Sequence, residues 1–170
     1  MPRTTTSVTR RTWGPRKKYS LARSAIGATV VPAQGGGLGA QQAISIVASI
    51  AGQGKRKCKN FDIQLASQID ASEDPLVYYA LVYVPTGSVP GDISNATNSQ
   101  FYSPPSNVLA AGVYDCSQGT GFRVRTRLAR NLNAGDQVVL LLRAQAGDTT
   151  TVEPGSIRLY GLVTYVVAYN

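Results

Sequence analysis

LVYYALVYV, residues 76–84, is an unbroken run of β-branched, aromatic and aliphatic residues without a charge. Such a run is typical of a strand that is buried on both faces. QVVLLLRAQ, residues 137–145, has nearly the same character. The sequence therefore predicts two fully buried strands, around which the other segments have to be arranged.

The segments outside these two runs carry weaker strand patterns. Apolar and polar residues alternate with a period of two in residues 41–51, 60–70 and 119–130, which is typical of strands with one exposed face. Residues 107–115 form a short strand pattern, and residues 156–170 form a final strand apolar enough to lie within a sheet. An eighth strand is expected at residues 28–31 or 149–153.

These patterns place the chain in the all-β class. No segment has the periodicity of an amphipathic helix, and about seven strands over some 130 residues favour a sandwich or a barrel. Residues 85–106 contain four prolines and cannot be one regular element. Long insertions in compact domains usually have a function, so this one is expected to have one.

Charge divides the chain sharply. Residues 1–61 hold eleven of the 17 Lys and Arg residues and none of the 9 acids, whereas the remainder holds six basic residues and all nine acids. A block of like charge repels itself and stays extended until it meets a polyanion. We therefore interpret residues 1–23 as a polycationic arm on a nearly neutral body.

Aromatic residues lie among the cations of this arm. Cations follow the phosphates of a single-stranded nucleic acid while rings stack on its bases, so the arm predicts nucleic-acid binding. A membrane-surface or incidental tail is the alternative, but Pro2, Gly14 and Pro15 oppose an amphipathic helix. The run also suits nuclear import machinery. The predicted binding residues are Arg3, Arg10, Arg11, Trp13, Arg16, Lys17, Lys18, Tyr19 and Arg23, joined by a second cluster of Lys55, Arg56, Lys57 and Lys59.

Residues 24–40 are small and nearly uncharged, and we interpret them as a linker, with the glycines of GGGLG at 35–39 as a hinge. The predicted domain organisation is thus a basic arm and Gly-rich linker at 1–40 and a folded domain at 41–170.

Several function classes are opposed by composition. The chain contains no histidine and only Cys58 and Cys116, which disfavours imidazole-based catalysis, a structural zinc and a disulfide framework. No phosphate-loop or dinucleotide-binding motif occurs, and no apolar run of 18 residues or secretory signal is present. We expect no enzyme activity, cofactor, metal or membrane partner, and a reducing compartment.

Four features leave two interpretations open. The row Arg123, Arg125 and Arg127 suits contact with nucleic acid, but a solvated or intersubunit face paired with acids is favoured. Cys58, between two lysines, is expected to have a lowered pKa and to be a free thiol, with an intersubunit disulfide as the alternative. Asn95 begins a glycosylation motif that we discount. A further group could ligate calcium but is favoured as a solvated turn: Asp70, Glu73 and Asp74.

The order of these segments resembles the coat proteins of small circular single-stranded DNA viruses of the circovirus and nanovirus kind. The resemblance covers nearly the whole chain as a pattern, and its most specific pieces are LVYYALVYVP, NVLAAGVYD, LNAGD before a buried strand, and a chain that ends within a strand. It implies a single eight-stranded jelly-roll sandwich with a disordered or extended arm. It also implies self-assembly, T=1 with 60 copies, around genomic DNA in the virion, with assembly in the host nucleus.

Three other functions compete with this interpretation. Coat proteins of satellite RNA viruses are similar, so DNA is favoured over RNA without being fixed. A cellular basic nucleic-acid-binding protein, ribosomal or OB-like, would spread its cations over the folded surface. A jelly-roll enzyme or sugar binder of the cupin kind would use histidines, which this chain lacks.

Overall fold

The computed structural model describes residues 18–52, 54–70, 75–97, 99–118, 121–146 and 155–169. Apart from three 3-10 turns at Gln34–Gly36, Pro105–Asn107 and Cys116–Gln118, the regular elements of these ranges are strands. None of their helical segments is long and apolar enough to cross a membrane. The strands are β1 (Ser20–Val30), β2 (Gln42–Val47), β3 (Arg56–Asp70), β4 (Leu76–Val84), β5 (Val108–Asp115), β6 (Gly121–Thr126), β7 (Arg130–Leu132), β8 (Gln137–Gln145) and β9 (Ser156–Tyr169).

The strands form two antiparallel sheets. The first has the order β1-β9-β3-β6, with β7 pairing beside β6 on β3, and the second has the order β2-β8-β4-β5. A five-stranded and a four-stranded antiparallel sheet, in which most neighbouring strands are not consecutive in the chain, form the jelly-roll arrangement, so the predicted fold class is confirmed. The described residues contain nine strands rather than eight because the segment predicted as one strand at 119–130 is divided into β6 and β7.

The two predicted buried segments, 76–84 and 137–145, coincide with β4 and β8, which lie in the middle of the second sheet. Their inward side chains, such as Leu81 and Leu140, join Phe61 and Ile63 of the first sheet in the main core. Their outward side chains form a second apolar cluster with Ile93 and other residues of the long insertion, whose buried members are Ala80, Val82, Val84, Ile93, Tyr102, Val139 and Leu141. The insertion therefore covers the outer face of this sheet, which explains why both strands carry apolar residues on both faces.

The linker interpretation is wrong for much of residues 24–40. The eleven residues Ser20–Val30 form β1, which pairs with β9 from Ser20 opposite Val167 to Val30 opposite Ile157. Ile26, Ala28 and Val30 face the core. The expected strand at 28–31 is therefore the end of a longer one, whereas the alternative at 149–153 lies outside the described residues.

The glycines at 35–39 do not form a free hinge. The Gly39 N–H donates to the Ala144 carbonyl at 2.8 Å, and the Arg143 Nε donates to the Gly39 carbonyl at 2.8 Å. The Gln145 side chain donates to the Gly36 carbonyl at 2.8 Å. A Cβ at position 39 would lie 1.8 Å from the Val31 carbonyl oxygen, so only glycine fits there. These contacts fasten the segment to the end of β8.

β3 begins at Arg56, four residues earlier than the alternation predicts, and a β-bulge explains the difference. Lys59 lies opposite Val166 and Asp62 opposite Thr164, so one extra residue of β3 is inserted between these pairs. Asn60 has φ 54°, a left-handed conformation that asparagine adopts more readily than most residues. Because of the bulge, the even-numbered Cys58 and the odd-numbered Phe61 both point inward. Lys59 and Asp62 both point outward for the same reason.

Candidate nucleic-acid interface

The outer face of the first sheet is open and collects many of the predicted binding residues at one end. Residues directly opposite each other in a sheet share a face. Arg23 lies opposite Thr164, Lys59 opposite Val166 and Lys57 opposite Ala168, while Arg125 lies opposite Asp62. We call this region the basic end of the outer face and define it by Tyr19, Arg23, Lys57, Lys59, Arg123 and Arg125.

Two segments far apart in sequence meet at this end. The Lys59 ammonium lies 4.1 Å from the centroid of the Tyr19 ring, a cation–π contact. Ser20 lies opposite Val167, and Val167 in turn lies opposite Cys58. The chain before Ser20 therefore joins the sheet beside Lys57 and Lys59. The predicted residues Arg3, Arg10, Arg11, Trp13, Arg16 and Lys17 lie outside the described residues.

Arg56 does not fit the predicted role, because its side chain points into the body. It is 4% exposed, and its guanidinium donates twice to the Ala48 carbonyl at 3.1 Å and once to the Asp136 carbonyl at 3.2 Å. These bonds tie the start of β3 to the end of β2 and to the loop before β8. Lys55 is exposed just before the strand, and Lys57 is half-buried on its outer side.

The Asp136 carboxylate organises the loop that Arg56 contacts. Burial alone would raise the pKa of Asp136, but bonds donated by the Asn133 and Thr86 N–H groups and by the Tyr83 and Thr86 hydroxyls keep it below its ordinary value. Stability that comes from this lowered pKa is present above about pH 4 and is lost as the pH falls through the lower folded-state value. Arg56 and Asp136 thus belong to one buried hydrogen-bond network.

We expect Arg56→Ala to destabilise the fold far more than the neighbouring lysine substitutions do. The change would leave the Ala48 and Asp136 carbonyls without their donor, and each orphaned carbonyl costs about 1–3 kcal/mol, so roughly 2–6 kcal/mol in total is expected. Lys57→Ala is the matched control and should change the free energy of unfolding by no more than about 0.5 kcal/mol. Urea unfolding of both variants measures the difference in their free energies of unfolding. Equal losses in the two variants would show that the hydrogen bonds of Arg56 do not stabilise the fold.

The arginine row is divided by Asp62. Arg123 donates through Nε to Oδ1 at 2.7 Å and through its terminal nitrogen to Oδ2 of Asp62, which makes the contact bidentate. Arg125 Nε lies 3.8 Å from the same Oδ2. The hydrogen bonds from Arg123 lower the pKa of Asp62 against a small opposing effect of burial, so the carboxylate stays ionised at neutral pH. Asp62 thus offsets most of the Arg123 charge.

Arg127 lies beyond the end of β6 and has no acidic partner among the described residues. Together with Arg125 it borders a surface pocket of about 190 Å³ beside the β3 bulge. The pocket is lined by Asn60, Phe61, Asp62, Arg125, Thr126 and Arg127. The described part of the row therefore has one neutralised arginine and two that retain donors.

The expected free thiol at Cys58 is confirmed, but the expected lowering of its pKa is wrong. The thiol is fully buried, and burial raises its pKa from 9.0 to about 11, while the nearby Arg56 charge opposes this only partly. The bulge causes the difference, since it turns Cys58 into the core between two outward lysines. Cys116 is also buried. Neither thiol is at the surface, which disfavours the alternative of an intersubunit disulfide.

The other open features bear little on the site. Asn95 is exposed, and its side chain donates to Gln145 at 3.0 Å. Glu73, Asp74 and the Asp70 side chain lie outside the described residues. Within the described ranges, no group of three or more acidic, cysteine or histidine side chains could hold a metal ion.

Sequence reasoning missed Asn60, Asp62 and Thr126. One signal was available: odd-numbered positions are cationic at Lys57 and Lys59 but apolar at Phe61, Ile63 and Leu65. A strand cannot change its inward positions this way without an inserted residue, so the break in phase indicates a bulge.

No family model matches the chain, and no curated protein matches it. Among solved structures it is similar to the decameric BFDV capsid protein, with a TM-score of 0.48 and 12% identity over 91% of this chain and 100% of that one. It is also similar to an empty head of turnip yellow mosaic virus, with a TM-score of 0.44 and 13% identity over 99% of this chain and 90% of that one. Its TM-score with the cyanophage Pam1 capsid is 0.39, with 17% identity over 100% of both chains. At these scores, the fold is assigned from the sheet order and register of the chain itself.

Proposed function

We propose that this chain is the coat protein of a small single-stranded DNA virus, which assembles into a T=1 shell of 60 copies and packages its genome through its basic N-terminal segment. The observation that carries the proposal is that the sheet topology places cations from distant parts of the sequence close together. Among the cations of residues 1–61 that the structure describes, Arg23 on β1 and Lys57 and Lys59 on β3 lie at one end of one open sheet face. The rest of the chain, residues 62–170, has more acids than bases.

The fold suits the assembly role. The outer face of the second sheet is covered by the long insertion, whereas the outer face of the first sheet exposes Leu21, Tyr160 and Leu162 at 55%, 54% and 44%. The body therefore has a closed side and an open side, and the basic segment joins it at the open side. Jelly rolls with such two-sidedness are used as shell subunits.

The nucleic-acid partner follows from the chemistry of the segment. Its sequence intersperses Trp13 and Tyr19 with cations, and Tyr19 already lies against Lys59 at the surface. Rings that stack on bases and cations that bind phosphates favour a single strand over a duplex. DNA, the virion and the host nucleus are carried over from the resemblance, and a satellite RNA virus coat protein would use the same geometry.

Assembly and cargo are tested on the purified full chain. Sixty copies of an 18.0 kDa chain give a particle of roughly 1.1 MDa, which light scattering after size exclusion and an electron micrograph would detect. We expect such particles to carry nucleic acid that DNase digests after disruption. Digestion by RNase instead would favour the RNA alternative. An 18 kDa monomer that binds nucleic acid would favour a cellular binding protein and contradict the coat-protein proposal.

A further inference from the structure

We propose that the pocket beside the β3 bulge is a phosphate-binding site, in which Arg125 and Arg127 hold a backbone phosphate of the packaged strand while Asp62 limits the attraction. The inference rests on the proposed function. It adds to that function a defined contact on the folded body, separate from the N-terminal segment.

The two arginines have the geometry that the role needs. They are two residues apart on β6 and its continuation, about 6.8 Å along an extended chain. The Arg125 side chain is 69% exposed, and its one acidic neighbour is 3.8 Å away. Arg127 is exposed and has no acidic partner among the described residues. Both guanidinium groups therefore retain donors for the paired oxygens of a phosphate.

Neutral groups of the pocket supply further donors. The Thr126 hydroxyl oxygen accepts the Leu128 N–H at 3.2 Å, which leaves its own proton for another acceptor. The Asn60 side chain is exposed at the bulge, on the pocket wall. An exposed asparagine amide can donate to a phosphate oxygen without deforming the sheet.

Asp62 gives the site a distinctive signature. Its carboxylate lines the pocket and repels an anion, but it is held by two hydrogen bonds from Arg123 and also neutralises that arginine. Replacing it by asparagine removes the repulsion and frees the Arg123 charge. Asp62→Asn should therefore strengthen phosphate binding, the opposite of what a purely structural ion pair would give.

The test uses full-length protein and a fluorescently labelled oligothymidylate, with anisotropy measured over a range of salt concentrations. Each phosphate contact on a single strand contributes about 0.7 to the slope of log K against log salt. Because the two arginines share one phosphate, the double variant Arg125→Gln, Arg127→Gln should lower the slope by about 0.7 and the affinity roughly fivefold near 0.1 M salt. Asp62→Asn should raise the affinity, by up to about fivefold.

Arg158→Gln is the matched control, because Arg158 is an exposed arginine on the same sheet face, opposite Gln68 at the far end of β3. It should change the affinity less than about twofold, apart from general charge effects. Equal losses in the control and the double variant, or an unchanged slope in the double variant, would overturn the site. Unchanged thermal melting of all variants would show that the fold is intact.

Inorganic phosphate distinguishes the two sources of the ligand. If the site serves free phosphate, phosphate should raise the melting temperature of the parent protein over chloride at equal ionic strength, and the double variant should keep its oligonucleotide slope; that result contradicts the inference. We expect instead that phosphate leaves the melting temperature unchanged relative to chloride and that the double variant has a lower oligonucleotide slope. Deleting the N-terminal segment separates this test from the proposed function. If that deletion loses packaging while the double variant keeps an unchanged salt slope, only the pocket is contradicted.

Discussion

Removing residues 163–170 is expected to abolish folding, not only assembly. β9 is an interior strand that pairs with β1 on one side and β3 on the other, so the deletion breaks two hydrogen-bond ladders at once. Val163 and Ala168 are fully buried, and Tyr165 stacks on Phe61 with ring centroids 5.7 Å apart. The same cut removes the partners of Ser20–Ser24 and so detaches the start of β1.

The energies support this outcome. Exposing a buried valine costs about 1.5–3 kcal/mol, and the segment also contains Val167 and the Tyr165 ring. Together with the lost backbone bonds, this approaches the roughly 5–15 kcal/mol by which a whole domain is stable. Circular dichroism and urea titration should therefore show no cooperative transition in the truncated chain.

A deletion of equal length from the other end, residues 1–8, is the control and should melt like the full chain. A second control removes only 169–170, since Tyr169 is 60% exposed at the strand end. Soluble protein that melts cooperatively without 163–170 would contradict the interior position of β9.

Strands were most predictable where nearly every side chain is apolar. β4 and β8 coincide with the predicted segments 76–84 and 137–145, because burial on both faces leaves no alternation to misinterpret. β1 was missed because its inward positions include small residues, and only Ile26 and Val30 are large. Its strand conformation comes from pairing with β9, a partner more than one hundred residues away.

The site was less predictable for the same physical reason. Arg56 and Lys57 are both cations in one run, and only the bulge at Asn60 decides which of them points inward. The ion pair of Arg123 with Asp62 joins residues 61 positions apart, so it depends on the register between β3 and β6. Local patterns predict faces, whereas register and bulges require the assembled sheet.

Deleting residues 1–17 is expected to remove most of the packaged nucleic acid while leaving the body folded. The cut stops short of Ser20 because β1 begins there, and it retains Tyr19 on Lys59. It removes Arg3, Arg10, Arg11, Arg16 and Lys17. Five lost phosphate contacts should lower the salt slope of log K by about 3.5. The absorbance ratio at 260 and 280 nm and the mass of extracted nucleic acid measure the effect on particles.

Three matched variants separate charge, length and stacking. An arm of full length whose five cations are replaced by glutamine should behave like the deletion, while a scrambled arm of unchanged composition should behave like the parent protein. Trp13→Ala should weaken binding by about 1–3 kcal/mol without changing the slope, because stacking releases no counterion. Particles of the deletion that hold as much nucleic acid as the parent would show that packaging does not depend on this segment. If the glutamine arm still packages, the segment acts through its length, and the charge division of the chain no longer explains its function.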